Sequence, residues 1–278
     1  MQIAGQDKLG SHRRPRGTII RVARFEQADR GPGVVGALSF LPEGLHVFTE
    51  GGSLMAVPGY QIESVESAPF AQVSYVVWLD GRDEALVIDP GFDPGAILDV
   101  LGSHRLRLAA ILNTHGHADH IAGNAAMKKA FPHAPLVIGR NEVRLLEDAD
   151  ANLSAPFGMA VTSPPADRLL DDGERFELAG LSFEVREIPG HSPGSIVFVC
   201  DQFEPPFVFG GDVLFAGSVG RTDLGGNTAQ LLSGIRAKLF SLPDGTLVLP
   251  GHGPATTVGQ ERRTNPYVGD KAGPYAID

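Results

Sequence analysis

The stretch THGHADH, Thr114 to His120, places three of the chain's nine histidines and one aspartate within seven residues. It reads either as a polar surface loop or as a metal site. The run before it, RLAAILNT (107–114), is continuously apolar and suits a strand buried on both faces. The run that overlaps its end, ADHIAGNAAMKKAF (118–131), reads as a helix. In that helix Ile121, Ala122, Ala125, Ala126 and Ala130 make one apolar stripe, with Lys128 and Lys129 away from it. His115 and His117 therefore lie just past a strand end, where a loop can turn both imidazoles inward. Asp119 and His120 open the helix that follows. Imidazole nitrogen and carboxylate oxygen are ordinary zinc and iron ligands.

Further candidates stand at other strand ends. His191 lies in PGHSPGS, between the strand-like runs LSFEVREI and SIVFVC. Asp212 lies in GGDVLF, after PFVFG, and His252 lies in PGHGP, after TLVLP. Glycines flank each of them, which lets the backbone turn tightly and approach a ligand. Any one of these residues alone also reads as a solvated loop histidine or a turn aspartate. All seven together favour the metal site.

The rest of the chain sets the frame. VSYVVWL and ALVID read as strands joined by the turn GRDE, and DPGAILDVLGSH as a short helix. APLVIG is a further strand, AQLLSGIRAKLF a late helix and GTLVLP a last strand. Mixed strands and helices over one long chain suggest a layered α/β sandwich. With 278 residues, 42% of them hydrophobic, there is ample material for a sizeable core. Residues 1–60 are expected to be an N-terminal extension, partly disordered or adding edge strands from GTIIRVARF and LHVF, and residues 61–278 the main domain. The first 17 residues are the strongest candidate for disorder.

Composition excludes some classes. A formal net charge of -10 argues against nucleic-acid and membrane-surface partners. The single cysteine, Cys200, rules out an internal disulfide and reads as a buried strand residue. No stretch is long and apolar enough to span a bilayer, and the basic N-terminus has no apolar core of a secretory signal. A cytoplasmic protein of bacterial type is the default expectation. The oligomeric state is open.

THGHADH, GHSPGS, GGDVLF and PGHGP, in that order, resemble the metallo-β-lactamase-fold hydrolases over about residues 60–267. The resemblance implies an αββα four-layer sandwich with a dinuclear metal site at one edge. Carried onto this chain, it implies that His115, His117 and His191 hold one ion, that Asp119, His120 and His252 hold the other, and that Asp212 bridges both. Asp89, in VIDPG, matches a position that supports the site from behind, though it also reads as an ordinary strand-end turn residue. True β-lactamases of this fold often carry a cysteine at the bridging place. Here Asp212 stands there, which disfavours that activity.

GDVLFAGSVGRTDLGG and PGHGPATTVGQERRTNPYV resemble the short bacterial-type members of the glyoxalase II (hydroxyacylglutathione hydrolase) group. That implies hydrolysis of a small-molecule thioester such as S-D-lactoylglutathione. The chain ends soon after His252, so the C-terminal glutathione-gripping domain of larger members is expected to be lacking. Arg221 and Asp223 stand where those members have lysine and tyrosine, and Gly253 and Pro254 where they have another tyrosine. Arg221 reads as a partner for a substrate carboxylate or as part of a turn salt bridge. The long loop 147–165, with Gly158 and three prolines, is expected to form one lip of the cleft.

The implied cofactors are two divalent ions, zinc first, with iron or manganese also compatible. They would share a water, lower its pKa and deliver it as a metal-bridged hydroxide to the thioester carbonyl. Asp119 would orient that nucleophile, and a thiolate leaves without a dedicated general acid. One alternative is a mononuclear iron persulfide dioxygenase of the same fold, which shares HxHxDH and GRTD. Another is a binding module without activity, against which the complete ligand set argues.

Overall fold

A computed structural model describes residues 19–24 and 57–273. The proposed readings of residues 1–17, of ADRGPGVVG and of LHVF fall outside them. One mixed sheet contains seven strands in chain order: β1 (Ile19–Arg24), β2 (Val57–Ser67), β3 (Gln72–Leu79), β4 (Glu84–Ile88), β5 (Arg107–Asn113), β6 (Leu136–Gly139) and β7 (Arg168–Leu170). β1 through β4 pair antiparallel, and β4 through β7 run parallel.

The second half of the chain supplies β8 (Arg175–Leu178), β9 (Leu181–Glu187), β10 (Ile196–Cys200) and β11 (Phe207–Gly211). A small hairpin, β12 (Leu214–Phe215) and β13 (Ser218–Val219), follows, and then β14 (Leu247–Pro250) and β15 (Thr256–Thr257). The second sheet has the order β15-β14-β11-β10-β9-β8, with β11 and β14 parallel.

Why two sheets stack is visible in where alternate side chains go. In β3, Tyr75 and Val77 join a core shared with Phe183, Phe198, Phe207 and Phe209 of the opposite sheet. Their neighbours Val76 and Trp78 point the other way, against α1 (Pro94–Ser103). The outer face of the second sheet is covered by α4 (Thr228–Gly234), its π-helical continuation Ile235–Leu239, and α5 (Val258–Thr264). Each sheet is thus apolar on both faces, and the layers are helix, sheet, sheet, helix. Each fully buried phenylalanine contributes roughly 1.5–3 kcal/mol of transfer free energy. α1 begins where Asp93 Oδ1 accepts the Ala96 N–H at 3.0 Å and Pro94 takes the first helical position.

The expected αββα architecture holds, but the helix over 118–131 does not run unbroken. It is two pieces, α2 (Ala118–Ile121) and α3 (Asn124–Ala130), parted at Ala122 and Gly123. The Gly123 N–H donates to Pro90 O at 2.8 Å, and a Cβ at Gly123 would press on the backbone carbonyls of Pro90 and Gly91. Close approach to that loop replaces helix continuity. The break rotates the faces, so Ile121, Asn124 and Met127 are buried while Ala125 and Ala130 are exposed. Cys200 is buried in β10, as its flanking sequence indicates. Among the described residues, no helix is long and apolar enough to cross a membrane.

Candidate metal centre

The site forms at the C-terminal ends of β4, β5, β11 and β14, with the β9–β10 loop beside them. Main-chain bonds fasten the two sheets together there. Ile196 N donates to Thr114 O at 2.9 Å and Val73 N to Gly251 O at 2.7 Å. The Tyr75 hydroxyl donates to Pro250 O at 2.7 Å.

All seven residues singled out in the sequence converge. The donor atoms of His115, His117 and His191 form one group lying within 4.8 Å of one another, those of Asp119, His120 and His252 a second, and those of Asp89, His115 and His120 a third that spans the two. Asp212 lies between them. Its Oδ1 is 3.4 Å from His120 Nε2, and its Oδ2 is 3.5 Å from both His191 Nε2 and His252 Nε2. His117 Nδ1 and His191 Nε2 are 2.9 Å apart, and His252 Nε2 is 3.2 Å from Asp119 Oδ2.

The ring nitrogens that face away from the centre are tied down, which fixes the tautomers. His120 Nδ1 donates to Asp89 Oδ2 at 3.0 Å, His191 Nδ1 to Arg221 O at 2.8 Å, and His252 Nδ1 to Phe70 O at 3.1 Å. The Thr114 hydroxyl donates to Asp89 Oδ2 at 2.6 Å and accepts from His115 Nδ1 at 3.1 Å. Each of these rings therefore turns its Nε2 toward the centre.

Three of the inward atoms are buried with no hydrogen-bond partner: His115 Nε2, His120 Nε2 and Asp212 Oδ1. An unsatisfied buried polar atom costs about 1–3 kcal/mol, so three in one cluster are a strong sign of a cation-binding arrangement. The donor set of imidazole and carboxylate fits a divalent ion of the zinc or iron kind.

Electrostatics differ between the two groups. Burial and the neighbouring imidazoles hold His115 far below its ordinary pKa, and burial with His191 pushes His117 down to about 3. Burial also opposes charge on His120, but Asp212, Asp119 and Asp89 outweigh it and hold its pKa well above normal. His252 is raised as well: burial opposes its charge, while Asp119 and Asp212 favour it. Burial likewise disfavours the Asp212 carboxylate, yet His120, His191 and His252 hold it far below the usual range.

Asp89 sits behind the centre, 2% exposed, and accepts from Thr114 N at 2.7 Å as well as from Thr114 Oγ1 and His120. Its φ of 48° lies in the left-handed region, an arrangement held by Ser74 Oγ and Gln72 Nε2 donating to its carbonyl at 2.7 and 3.0 Å. Arg221 lines the cleft but forms a two-pronged pair with Asp223 at 2.7 and 2.8 Å. Both side chains are mostly exposed. Its carbonyl, rather than its side chain, reaches the histidine cluster.

The cleft above the centre is a cavity of about 190 Å³ whose wall includes Phe70, Leu153, Phe157, Met159 and Leu224. Three of these come from the loop 147–165, which does form a lip. A second hollow of about 530 Å³ adjoins it at His117, His191 and Leu224. The sequence reading missed Thr114, the Phe70 carbonyl and Glu142, which is fully buried beneath the histidine loops. Thr114 was inside the quoted motif. Nothing in RNEVRLL (140–146) distinguishes Glu142 from a charge on a solvated helix face.

An αββα sandwich with a histidine–aspartate cluster at its strand ends defines a class of metalloenzyme. Residues 68–252 match the metallo-beta-lactamase superfamily, and the chain belongs to it. Enzymes of this fold are metal-dependent hydrolases, and the clusters such chemistry needs are present here. A protein of Haemophilus influenzae described as hydroxyacylglutathione hydrolase GloC is 36% identical over 219 residues, covering 76% of this chain and 99% of that protein. A solved structure described as the B3 metallo-beta-lactamase BLEG-1 is similar at 38% identity and a TM-score of 0.71, covering 74% of this chain and 99% of the other. TTHA1623, solved in a di-iron-bound form, is 38% identical with a TM-score of 0.65, covering 73% and 98%.

Proposed function

We propose that the chain is a dinuclear metallohydrolase of the glyoxalase II kind, cleaving small-molecule thioesters such as S-D-lactoylglutathione. The observation that carries this reading is the two histidine-containing donor groups on either side of Asp212, with three inward-facing buried atoms lacking protein partners. The 36% identity to a hydroxyacylglutathione hydrolase supports the thioester class. Two groups of donors favour a dinuclear centre over the single iron of a persulfide dioxygenase. They also disfavour a binding module without activity. Zinc remains the first candidate, and the di-iron form of a similar protein keeps iron close behind it.

In this reading His115, His117 and His191 would hold one ion, Asp119, His120 and His252 the other, and Asp212 would serve both. Two bound divalent ions would activate a water at neutral pH and polarise a carbonyl. The residues do the rest. Asp119 Oδ2, at the floor of the cleft beside His252, orients the attacking water and takes up its proton. Asp89 and Thr114 keep His115 and His120 turned inward, so no reorganisation is needed as charge develops. The apolar wall of Phe70, Phe157 and Met159 excludes bulk water around the scissile bond. The thiolate departs without a proton donor.

The decisive experiment is a hydrolysis screen of glutathione and coenzyme A thioesters with metal-loaded protein, alongside a β-lactam. Turnover of glutathione thioesters with a high KM is expected. The similarity to BLEG-1 favours the β-lactam as second reading. Cleavage of the β-lactam without any thioester turnover would replace the proposal.

Arg221 separates grip from scaffold. Its pair with Asp223 is exposed, and such pairs add little to stability. Arg221→Ala is therefore expected to leave the melting temperature almost unchanged. If the guanidinium meets a glutathione carboxylate equally in ground and transition states, KM rises several-fold, roughly, and kcat stays level. A KM equal to wild type would remove Arg221 from the substrate site.

A further inference from the structure

We infer that Glu142 is a positioning residue that locks the His115–His117 loop against the His191 loop and so sets the geometry of the first metal position. The inference rests on the metal-centre reading above.

Glu142 lies in the 3-10 helix Arg140–Leu146, directly after β6, and its side chain is fully buried. Oε2 accepts the Gly116 N–H at 2.8 Å. Oε1 accepts the Gly194 N–H at 2.5 Å and the Ser192 hydroxyl at 2.8 Å. Gly116 separates His115 from His117, and Ser192 follows His191 directly. One carboxylate thus bridges two loops that leave different sheets. All three partners donate, so the ionised form is the one that satisfies them. Among the described residues, no lysine or arginine pairs with it. Burial pushes the Glu142 pKa up, while the three donors favour its charged form, and bonds to an ionised carboxylate are stronger than neutral ones.

The same helix also presses on both loops. A Cβ at Gly116 would overlap Leu145 Cβ, and one at Gly194 would overlap Asn141 Cβ. Backbone contact and carboxylate bonds therefore act at the same two points. His117 Nδ1 and His191 Nε2 face each other at 2.9 Å across the gap that this clamp closes. The Asp119–His120–His252 group is held from elsewhere, through Asp89 and the Phe70 carbonyl, so it should not depend on Glu142.

The test is cobalt(II) titration of Glu142→Gln and Ser192→Ala, followed by visible absorption and chelator competition, with thermal melts of the metal-free proteins. Glutamine keeps the size but sets an N–H against the Gly116 N–H or the Gly194 N–H. In Glu142→Gln one of two cobalt positions is expected to weaken about 10–100-fold with altered d–d bands, the other staying as in wild type. Thioester turnover should lose kcat with KM little changed. Ser192→Ala, which leaves both backbone donors in place, should move the same position less. Wild-type cobalt affinity and spectrum in Glu142→Gln would overturn the inference even if its melting temperature fell, because only a structural role would remain. Should Glu142→Gln not fold, the same result in Ser192→Ala overturns it. Wild-type protein that binds no cobalt would overturn both this inference and the metal-centre reading. Wild-type protein that binds two, with Glu142→Gln unchanged, overturns only the role of Glu142.

Discussion

Asp212→Ala is expected to abolish hydrolysis and loosen both metals at once. The Asp212 carboxylate faces both donor groups: Oδ1 approaches His120, and Oδ2 approaches His191 and His252. Removing it deletes a shared ligand and the negative charge that offsets two cations. Charge stabilisation by such ions is worth several kcal/mol in the transition state, so the loss is on the order of a thousandfold in rate or more. Asp89→Ala tests the contrast. The Asp89 carboxylate accepts from the outward nitrogen of His120 and from the Thr114 N–H and hydroxyl behind His115. Its loss is expected to cost about 10–100-fold in metal affinity or activity. Metal analysis and turnover on the two purified variants check the ranking. Equal, small losses in both would count against a bridging role for Asp212.

The candidate ligands could be drawn from sequence because they stand at strand ends in short glycine-flanked motifs, and the family resemblance supplied the ranking of Asp212 over Asp89. Three strands that lead into the site, β5, β11 and β14, are apolar runs whose burial on two faces erases alternation and leaves an unmistakable block. Elements without such a block were not legible. β7 has three residues and β15 two, too short for any period to register. α5 carries Gln260 and Arg263 on its open side, and Glu261, its buried acid, looks in sequence like another surface charge. The break between α2 and α3 is set by a tertiary contact, Gly123 against Pro90, that no local pattern encodes. The same holds for the support of the centre. Asp89 could be singled out by the resemblance of VIDPG to the family's motif, but Glu142 could not. Its partners lie 26, 50 and 52 residues away and are mostly backbone groups, which leave no side-chain signature.

Acid is expected to strip the two metal positions unequally. In the metal-free protein His115 and His117 are held below their ordinary pKa, His117 to about 3, by burial first and neighbouring imidazoles second. They are already neutral at neutral pH, so a cation binding there displaces no proton from them. His120 and His252 are the reverse. Burial opposes their charge, but the carboxylates around them raise both pKa values. Below those raised values each carries a proton that a cation at the Asp119–His120–His252 group must displace. The sign follows. Lowering pH adds competing protons to the free state only, so affinity at this second position falls as pH falls. With two protons released, the slope is on the order of 100-fold per pH unit below the raised values, flattening above them. At the first position, proton competition from His117 begins only as pH approaches 3. Dialysis against a weak chelator over a series of falling pH values should therefore empty the Asp119–His120–His252 position before the other. Hydrolysis, which needs both, should decline in step with the second ion. Loss of both ions over the same pH range would show that the two groups titrate as one unit and would sink the predicted asymmetry.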